Sequence, residues 1–162
     1  MNYKIVKNLL DKDYFFKLKN QFINSNISYY FQKVVAYPDD KQEKDQFYFT
    51  HLIYDKHKPN SNYFEILLPL LDQIECKSLI LIKLNLYTRT EKIIKHKPHI
   101  DNSFSHKGLV LSLNTCDGGT MIGDKFIQSV ENQGLFFDPS TKHNSTTCTD
   151  QQGRFNININ YF

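Results

Sequence analysis

The sequence predicts a mainly β protein with flanking helices (α+β), and three observations lead there. From residue 78 onward, short runs rich in β-branched and aromatic residues recur between turn residues such as Asp117-Gly118-Gly119. That spacing suits a barrel or sandwich better than βαβ units. The last run alternates: Phe155, Ile157, Ile159 and Tyr161 fall on one face, Arg154, Asn156, Asn158 and Asn160 on the other. Helical periodicity is confined to the first half of the chain.

In chain order, residues 9–23 read as a helix because Leu10, Tyr14, Phe15, Leu18 and Phe22 recur at three- and four-residue steps. Residues 29–37 and 46–54 are aromatic and β-branched and read as strands. A charged loop over 38–45 joins them, with Pro38-Asp39-Asp40 as its turn signal. A polar stretch, 55–62, leads to a second helix over 63–74, which Pro69 should kink or break into two pieces. Strands are then expected at 79–87, 92–99, 107–115, 125–131, 134–138 and 153–162. The polar face of the last strand either meets water or lines a cavity inside a barrel. No repeat or linker divides the chain, so residues 1–162 are expected to be one domain, with 1–77 an α/β support for 78–162.

Composition excludes several classes. At 162 residues, 40% hydrophobic and 23% charged, the chain has the balance of a globular domain with a real core. A net charge of +3 is too small for a nucleic-acid footprint without a clustered basic face. Cys76, Cys116 and Cys148 show neither a disulfide framework nor a zinc ribbon, and read as free thiols of a reducing cytoplasm. The N-terminal residues lack a signal-peptide pattern, and no stretch approaches the roughly 20 apolar residues of a membrane span. A cytoplasmic location is the expectation.

His99-Ile100-Asp101 sets two metal-capable side chains at i and i+2, which share one face of a strand. Alone, such a pair reads as surface polarity. Here it ends a β-run, and His143 follows a strand-rich segment and the turn Asp138-Pro139-Ser140. Two imidazoles and a carboxylate on one face of an octahedron leave adjacent positions open, the ligand set of non-haem iron(II) oxygenases. The only arginines are Arg89 and Arg154 in a Lys-rich chain. Arg154, on the closing strand, can grip a carboxylate with two parallel hydrogen bonds.

With these motifs in order, the chain resembles the 2-oxoglutarate/Fe(II)-dependent dioxygenase superfamily, in particular its prolyl-4-hydroxylase-like branch. The resemblance runs over residues 79–162. It rests on Asn85-Leu86-Tyr87, His99-Ile100-Asp101-Asn102, Leu111-Ser112-Leu113-Asn114, Gly118-Gly119-Thr120, Phe136-Phe137-Asp138 before His143, and Arg154. It implies a double-stranded β-helix (jelly roll) whose metal-binding core is 78–162. It also implies Fe(II) held by His99, Asp101 and His143, with Arg154 on the far carboxylate of 2-oxoglutarate and Tyr87 assisting. The implied activity is hydroxylation with O2, releasing succinate and CO2. Two positions depart from the pattern. Ser112 stands where many relatives have tyrosine, and Asn156 where Ser or Thr is usual; its amide can still donate to the co-substrate.

Other residues draw plainer readings. His96, three residues before His99, falls on the opposite face of a regular strand. His96, His51, His57 and His106 each read as exposed or structurally hydrogen-bonded, Arg89 as a solvent-exposed loop residue, and Phe47-Tyr48-Phe49 as core. Loops 37–46, 55–62, 88–95 and 102–107 are the candidates for substrate contact. The substrate class, small-molecule or peptidyl, and the oligomeric state stay open. The alternative to an enzyme is a non-catalytic, cupin-like jelly roll that keeps the metal.

Overall fold

The structure, a computed structural model, describes residues 3–24, 26–35 and 44–162. Most of the expected charged loop, residues 38–43, and the last two residues of the strand expected at 29–37 lie outside the described residues.

Helix α1 (Lys12–Lys19) begins where the Asp11 carboxylate accepts the amides of Asp13 and Tyr14, at 2.9 and 3.2 Å. This N-cap satisfies amides that have no partner inside the helix. One π-turn, Asn20–Asn24, prolongs it. The second helical segment is in two pieces, a 3-10 turn Glu65–Leu67 and then α2 (Leu68–Gln73). Pro69 sits in the first turn of α2, where a missing N–H removes no intrahelical bond.

Eleven strands are found among the described residues: β1 (Tyr3–Val6), β2 (Tyr30–Gln32), β3 (Tyr48–Asp55), β4 (Lys58–Pro59), β5 (Leu79–Thr88), β6 (Lys107–Ser112), β7 (Gly119–Ile122), β8 (Lys125–Gln128), β9 (Gly134–Phe137), β10 (His143–Ser145) and β11 (Gly153–Tyr161). The large sheet runs β1-β9-β6-β11-β5-β3-β2 with β4 beside β3; the small one runs β10-β7-β8. All pairs are antiparallel. The architecture is a double-stranded β-helix. Strands β1, β2, β3 and β4, from the first 77 residues, extend the same sheet as strands of the second half.

Two apolar clusters follow from the alternation. Val110, Leu135 and Phe137 of the large sheet meet Ile122 and Ile127 of the small one between the sheets. The larger cluster lies on the other face: Ile82, Leu84, Leu109, Leu111, Ile157 and Ile159 pack against Phe15, Leu18, Phe22, Leu67 and Leu70 of the helical layer. The odd residues of β11 thus face the helices, and its polar residues turn inward. Arg154, Asn156, Asn158 and Asn160 are all buried, so this polar face lines the inner cavity, with Asn160 at the adjoining cleft, and is not the outer surface of the sheet.

The strand expected at 92–99 does not form. Only two isolated bridges exist there, Lys95 with Thr146 and His99 with His143, and the register slips by one residue between them. The slip spans Lys97-Pro98, and Pro98 has no amide hydrogen to give a ladder. The extra residue brings His96 inward together with His99, contrary to its expected opposite face. His96 is 2% exposed, its Nδ1 lies 2.8 Å from Ser145 Oγ, and its ring centroid is 5.3 Å from that of Tyr87.

Burial, with the nearby Arg154 charge, lowers the pKa of the His96 imidazole from 6.5 to about 4. Between these two values the unfolded chain binds a proton that the folded chain does not. Stability therefore falls as pH drops from 6.5 to about 4, by about 3 kcal/mol, and this loss ends below the folded value. Urea unfolding across this window should show that slope in the wild type and a much flatter one in His96→Gln.

Candidate active site

Two backbone hydrogen bonds bring the expected ligands together. The His99 amide donates to the His143 carbonyl at 2.9 Å, and the His143 amide returns the bond at 3.0 Å. The Asp101 amide donates to the Pro139 carbonyl at 2.9 Å, which folds the chain back after the bridge. Asp101 Oδ1 then lies 3.6 Å from His99 Nε2 and 3.5 Å from His143 Nε2. Convergence comes from this bend and not from the one face of a regular strand.

The tautomers suit a metal. His143 Nδ1 is 2.9 Å from the Thr141 carbonyl and His99 Nδ1 3.3 Å from the Lys97 carbonyl. A carbonyl only accepts, so both protons belong on Nδ1 and both Nε2 lone pairs face the Asp101 carboxylate. Three electron-rich atoms facing one another call for a cation between them. Donors each about 2.1 Å from one ion and at right angles are about 3 Å apart, so a small contraction closes the set. Asn160 Nδ2 donates to Asp101 Oδ2 at 2.7 Å, leaving Oδ1 for the ion. Burial opposes the charge on Asp101; when His143 and His99 also carry protons on Nε2, their hydrogen bonds, with the nearby Lys83, hold its carboxyl well below the usual range, and a cation between the three atoms takes the place of those protons.

Arg154 stands deeper in the same cavity. It is 1% exposed; Nε donates to Ser129 Oγ and Nη2 to Thr120 Oγ1, both at 2.8 Å, and Nη1 donates to the Thr146 carbonyl at 3.4 Å. Its guanidinium carbon lies 5.3 Å from the Tyr87 ring centroid. No carboxylate of the described residues pairs with it. Cross-strand register explains the walls: Tyr87 faces Arg154, Asn85 and Ser112 flank Asn156, and Lys83 and Val110 flank Asn158. Asn85 Nδ2 donates to Asn156 Oδ1 at 3.0 Å, while buried Asn85 Oδ1 has no partner.

Five of the six expected site residues, His99, His143, Arg154, Tyr87 and Asn156, line one cavity, and the sixth, Asp101, lines the adjoining cleft together with His99. Asn160, Thr120, Ser129, Tyr48 and Lys83 are additions. The inward alternation of β11 could have signalled Asn160; Thr120 and Ser129 reach the site from the small sheet, with no motif of their own. Tyr48 stacks on Tyr87 at 5.6 Å and 18°, so part of the Phe47-Tyr48-Phe49 run is cavity wall. Outside the triad a cleft opens, lined by residues 31–35, Lys83, Ile100 and Asn102. His51 bonds Ser28 and Ser61, His106 is buried against the Phe104 carbonyl, and Arg89 is exposed.

No family model matches the sequence, and no curated protein matches it. Solved structures do. A prolyl hydroxylase from Trichoplax adhaerens, in complex with a hypoxia inducible factor peptide fragment, superposes with a TM-score of 0.69 at 14% identity, over 99% of this chain and 83% of that one. A 2OG-Fe(II) oxygenase family oxidoreductase from Burkholderia pseudomallei gives 0.68 at 12% identity, over 98% and 84%. A prolyl-4-hydroxylase from Pseudomonas putida gives 0.67 at 11%, over 98% and 91%. At such identities the likeness establishes the architecture: this chain has the jelly-roll fold of the 2OG-Fe(II) oxygenases.

Proposed function

We propose that the chain is an Fe(II)- and 2-oxoglutarate-dependent oxygenase that hydroxylates a small-molecule or peptidyl substrate. One observation carries this beyond a metal site: a fully buried guanidinium, given only neutral acceptors, shares a cavity with the His99–Asp101–His143 cluster. A buried cation without an anion is costly, and a dicarboxylate reaching from the cluster to Arg154 supplies the missing charge. A jelly roll that only held metal would leave the Arg154 charge without an anion.

The residues divide the work. His99, Asp101 and His143 would hold iron(II), and Arg154, with the Thr120 and Ser129 hydroxyls, the far carboxylate of 2-oxoglutarate. Bound there, iron with 2-oxoglutarate and O2 supplies oxidative hydroxylation of a C–H bond, with release of succinate and CO2. Thr141 and Lys97 keep the imidazole protons on Nδ1. Asn160 aims the carboxylate. Stacked Tyr48 and Tyr87 wall the cavity on the side of Arg154 and limit water there. The cleft beside residues 31–35 is wide enough in outline for a side chain of a peptide or a free metabolite to approach the cluster.

Anaerobic addition of iron(II) and 2-oxoglutarate should give a visible charge-transfer band, and air should then yield succinate, even without substrate. Band without succinate would favour the non-catalytic reading; neither would end the oxygenase proposal. Arg154→Met should weaken 2-oxoglutarate binding by about 30-fold or more, the loss of at least ~2 kcal/mol of charged hydrogen bonding, with iron content unchanged. Calorimetric titration separates the two. Asn160→Ala should lower iron(II) affinity by about 10- to 100-fold, and His143→Ala should abolish stoichiometric binding, both read by metal titration.

A further inference from the structure

Among the described residues one other cluster of ligand-type side chains exists: Cys116, Cys148 and Asp150, with donor atoms within 4.8 Å of one another. Both cysteines are free and fully buried. Cys116 lies in the loop that carries the chain from β6 in the large sheet to β7 in the small one; Cys148 lies in the loop that returns it from β10 to β11. These loops are laced together. Asp117 accepts the amide of Thr149 at 2.8 Å and also its hydroxyl, and the Asp117 amide donates to Asp150 Oδ1 at 3.0 Å. Gly118 permits the approach, because a Cβ there would stand 2.3 Å from the Thr147 carbonyl oxygen and 3.2 Å from Cys148 Cβ. Apart from each other, the thiols have weak carbonyl partners, Gly118 at 3.8 Å and Gln151 at 3.6 Å.

We propose that Cys116 and Cys148 are a dithiol site that hydrogen peroxide converts to an intramolecular disulfide, fastening the two sheet-crossing loops beside Arg154. A closed zinc site is the poorer fit. Asp150 is exposed with one oxygen already engaged, which leaves two sulfurs where a structural zinc takes four ligands. The hydrogen bond from Cys148 holds the Cys116 thiol below its ordinary range against the effect of burial, and the same contact pushes Cys148 up. Cys116 is therefore the attacking sulfur.

The chemistry balances. The Cys116 thiolate bonds one peroxide oxygen as the O–O bond breaks, giving a sulfenic acid and hydroxide. The Cys148 sulfur attacks the sulfenic sulfur, the S–O bond breaks and the S–S bond forms. In sum two thiols lose two protons and two electrons, which the peroxide takes up to leave as two waters. A small oxidant suits sulfurs that have no exposed surface.

The full chain treated with peroxide, denatured, alkylated and mapped by mass spectrometry without reduction tests this. Cys76 is the internal reference: burial raises its thiol, and it sits at the far end of the sheet near Tyr161. Expected are a cross-linked peptide joining Cys116 to Cys148, retention of the Cys76 thiol, and a rise in Tm of about 5 °C that dithiothreitol reverses. In Cys148→Ser, dimedone should trap the sulfenic acid at Cys116. Three intact thiols, a cross-link through Cys76, or over-oxidised Cys116 without a cross-link would overturn the proposal. So would stoichiometric zinc in untreated protein that disappears in Cys116→Ser. A cross-link with unchanged Tm would overturn the fastening role.

Discussion

Moving a guanidinium out of water costs several kcal/mol even after the protein relaxes around it. Arg154 bears that cost on the middle strand region of the large sheet, and its hydrogen bonds all go to the other side. Thr120 is on β7, Ser129 follows β8, and the Thr146 carbonyl follows β10. The side chain is thus a tie between the two sheets, and it sets their separation at one end of the cavity. Because every acceptor is neutral, the tie leaves a full positive charge inside the barrel. The surrounding hydroxyls and amides make sense as a cradle for an anion.

A second tie, made of backbone, defines the other end. His99 and His143 exchange two hydrogen bonds, and Asn160 reaches from β11 to the Asp101 carboxylate. Between the ties runs an inner row set by the period-two geometry of two neighbouring strands, Asn158 and Asn156 on β11, Lys83, Asn85 and Tyr87 on β5. The opposite faces of the same strands carry Ile157, Ile159, Ile82 and Leu84 into the helix-backed core. A one-residue shift of β11 would exchange these sets, placing isoleucines in the cavity and asparagines under the helices. The apolar core therefore enforces the register on which the polar site depends.

That coupling explains what could be read from the sequence. β11 was legible because its alternation is complete, and its direction became clear only when the helices took up the apolar face. The order His99, Asp101, His143, Arg154 was legible because each residue type is rare or chemically distinctive in this chain. The slip at Lys97-Pro98 was not, since one extra residue in a bulged segment leaves no periodic trace. It reversed the expected side of His96. β1, β7 and β10 are three or four residues long and owe their form to a partner strand. Thr120, Ser129 and the Cys116–Cys148 pair are contacts between segments distant in sequence, which no local pattern records.

Ser112 shows how such contacts can take over a role. In the family the chain resembles, a tyrosine commonly stands there and meets the co-substrate. The smaller hydroxyl of Ser112 is buried 3.3 Å from Ser129 Oγ, which in turn accepts from Arg154 Nε. With a lone pair of Ser129 engaged by Arg154, its proton is free to point elsewhere, and at 3.3 Å its bond to Ser112 is weak enough to give up. A carboxylate beside Arg154 would offer that proton a charged acceptor, a stronger bond than the neutral one it replaces. On the proposed function, the donor that the resembled family has as a phenol at the Ser112 position would then come from the end of β8 as a hydroxyl already aligned by the arginine, and Ser112 would need only to leave it room.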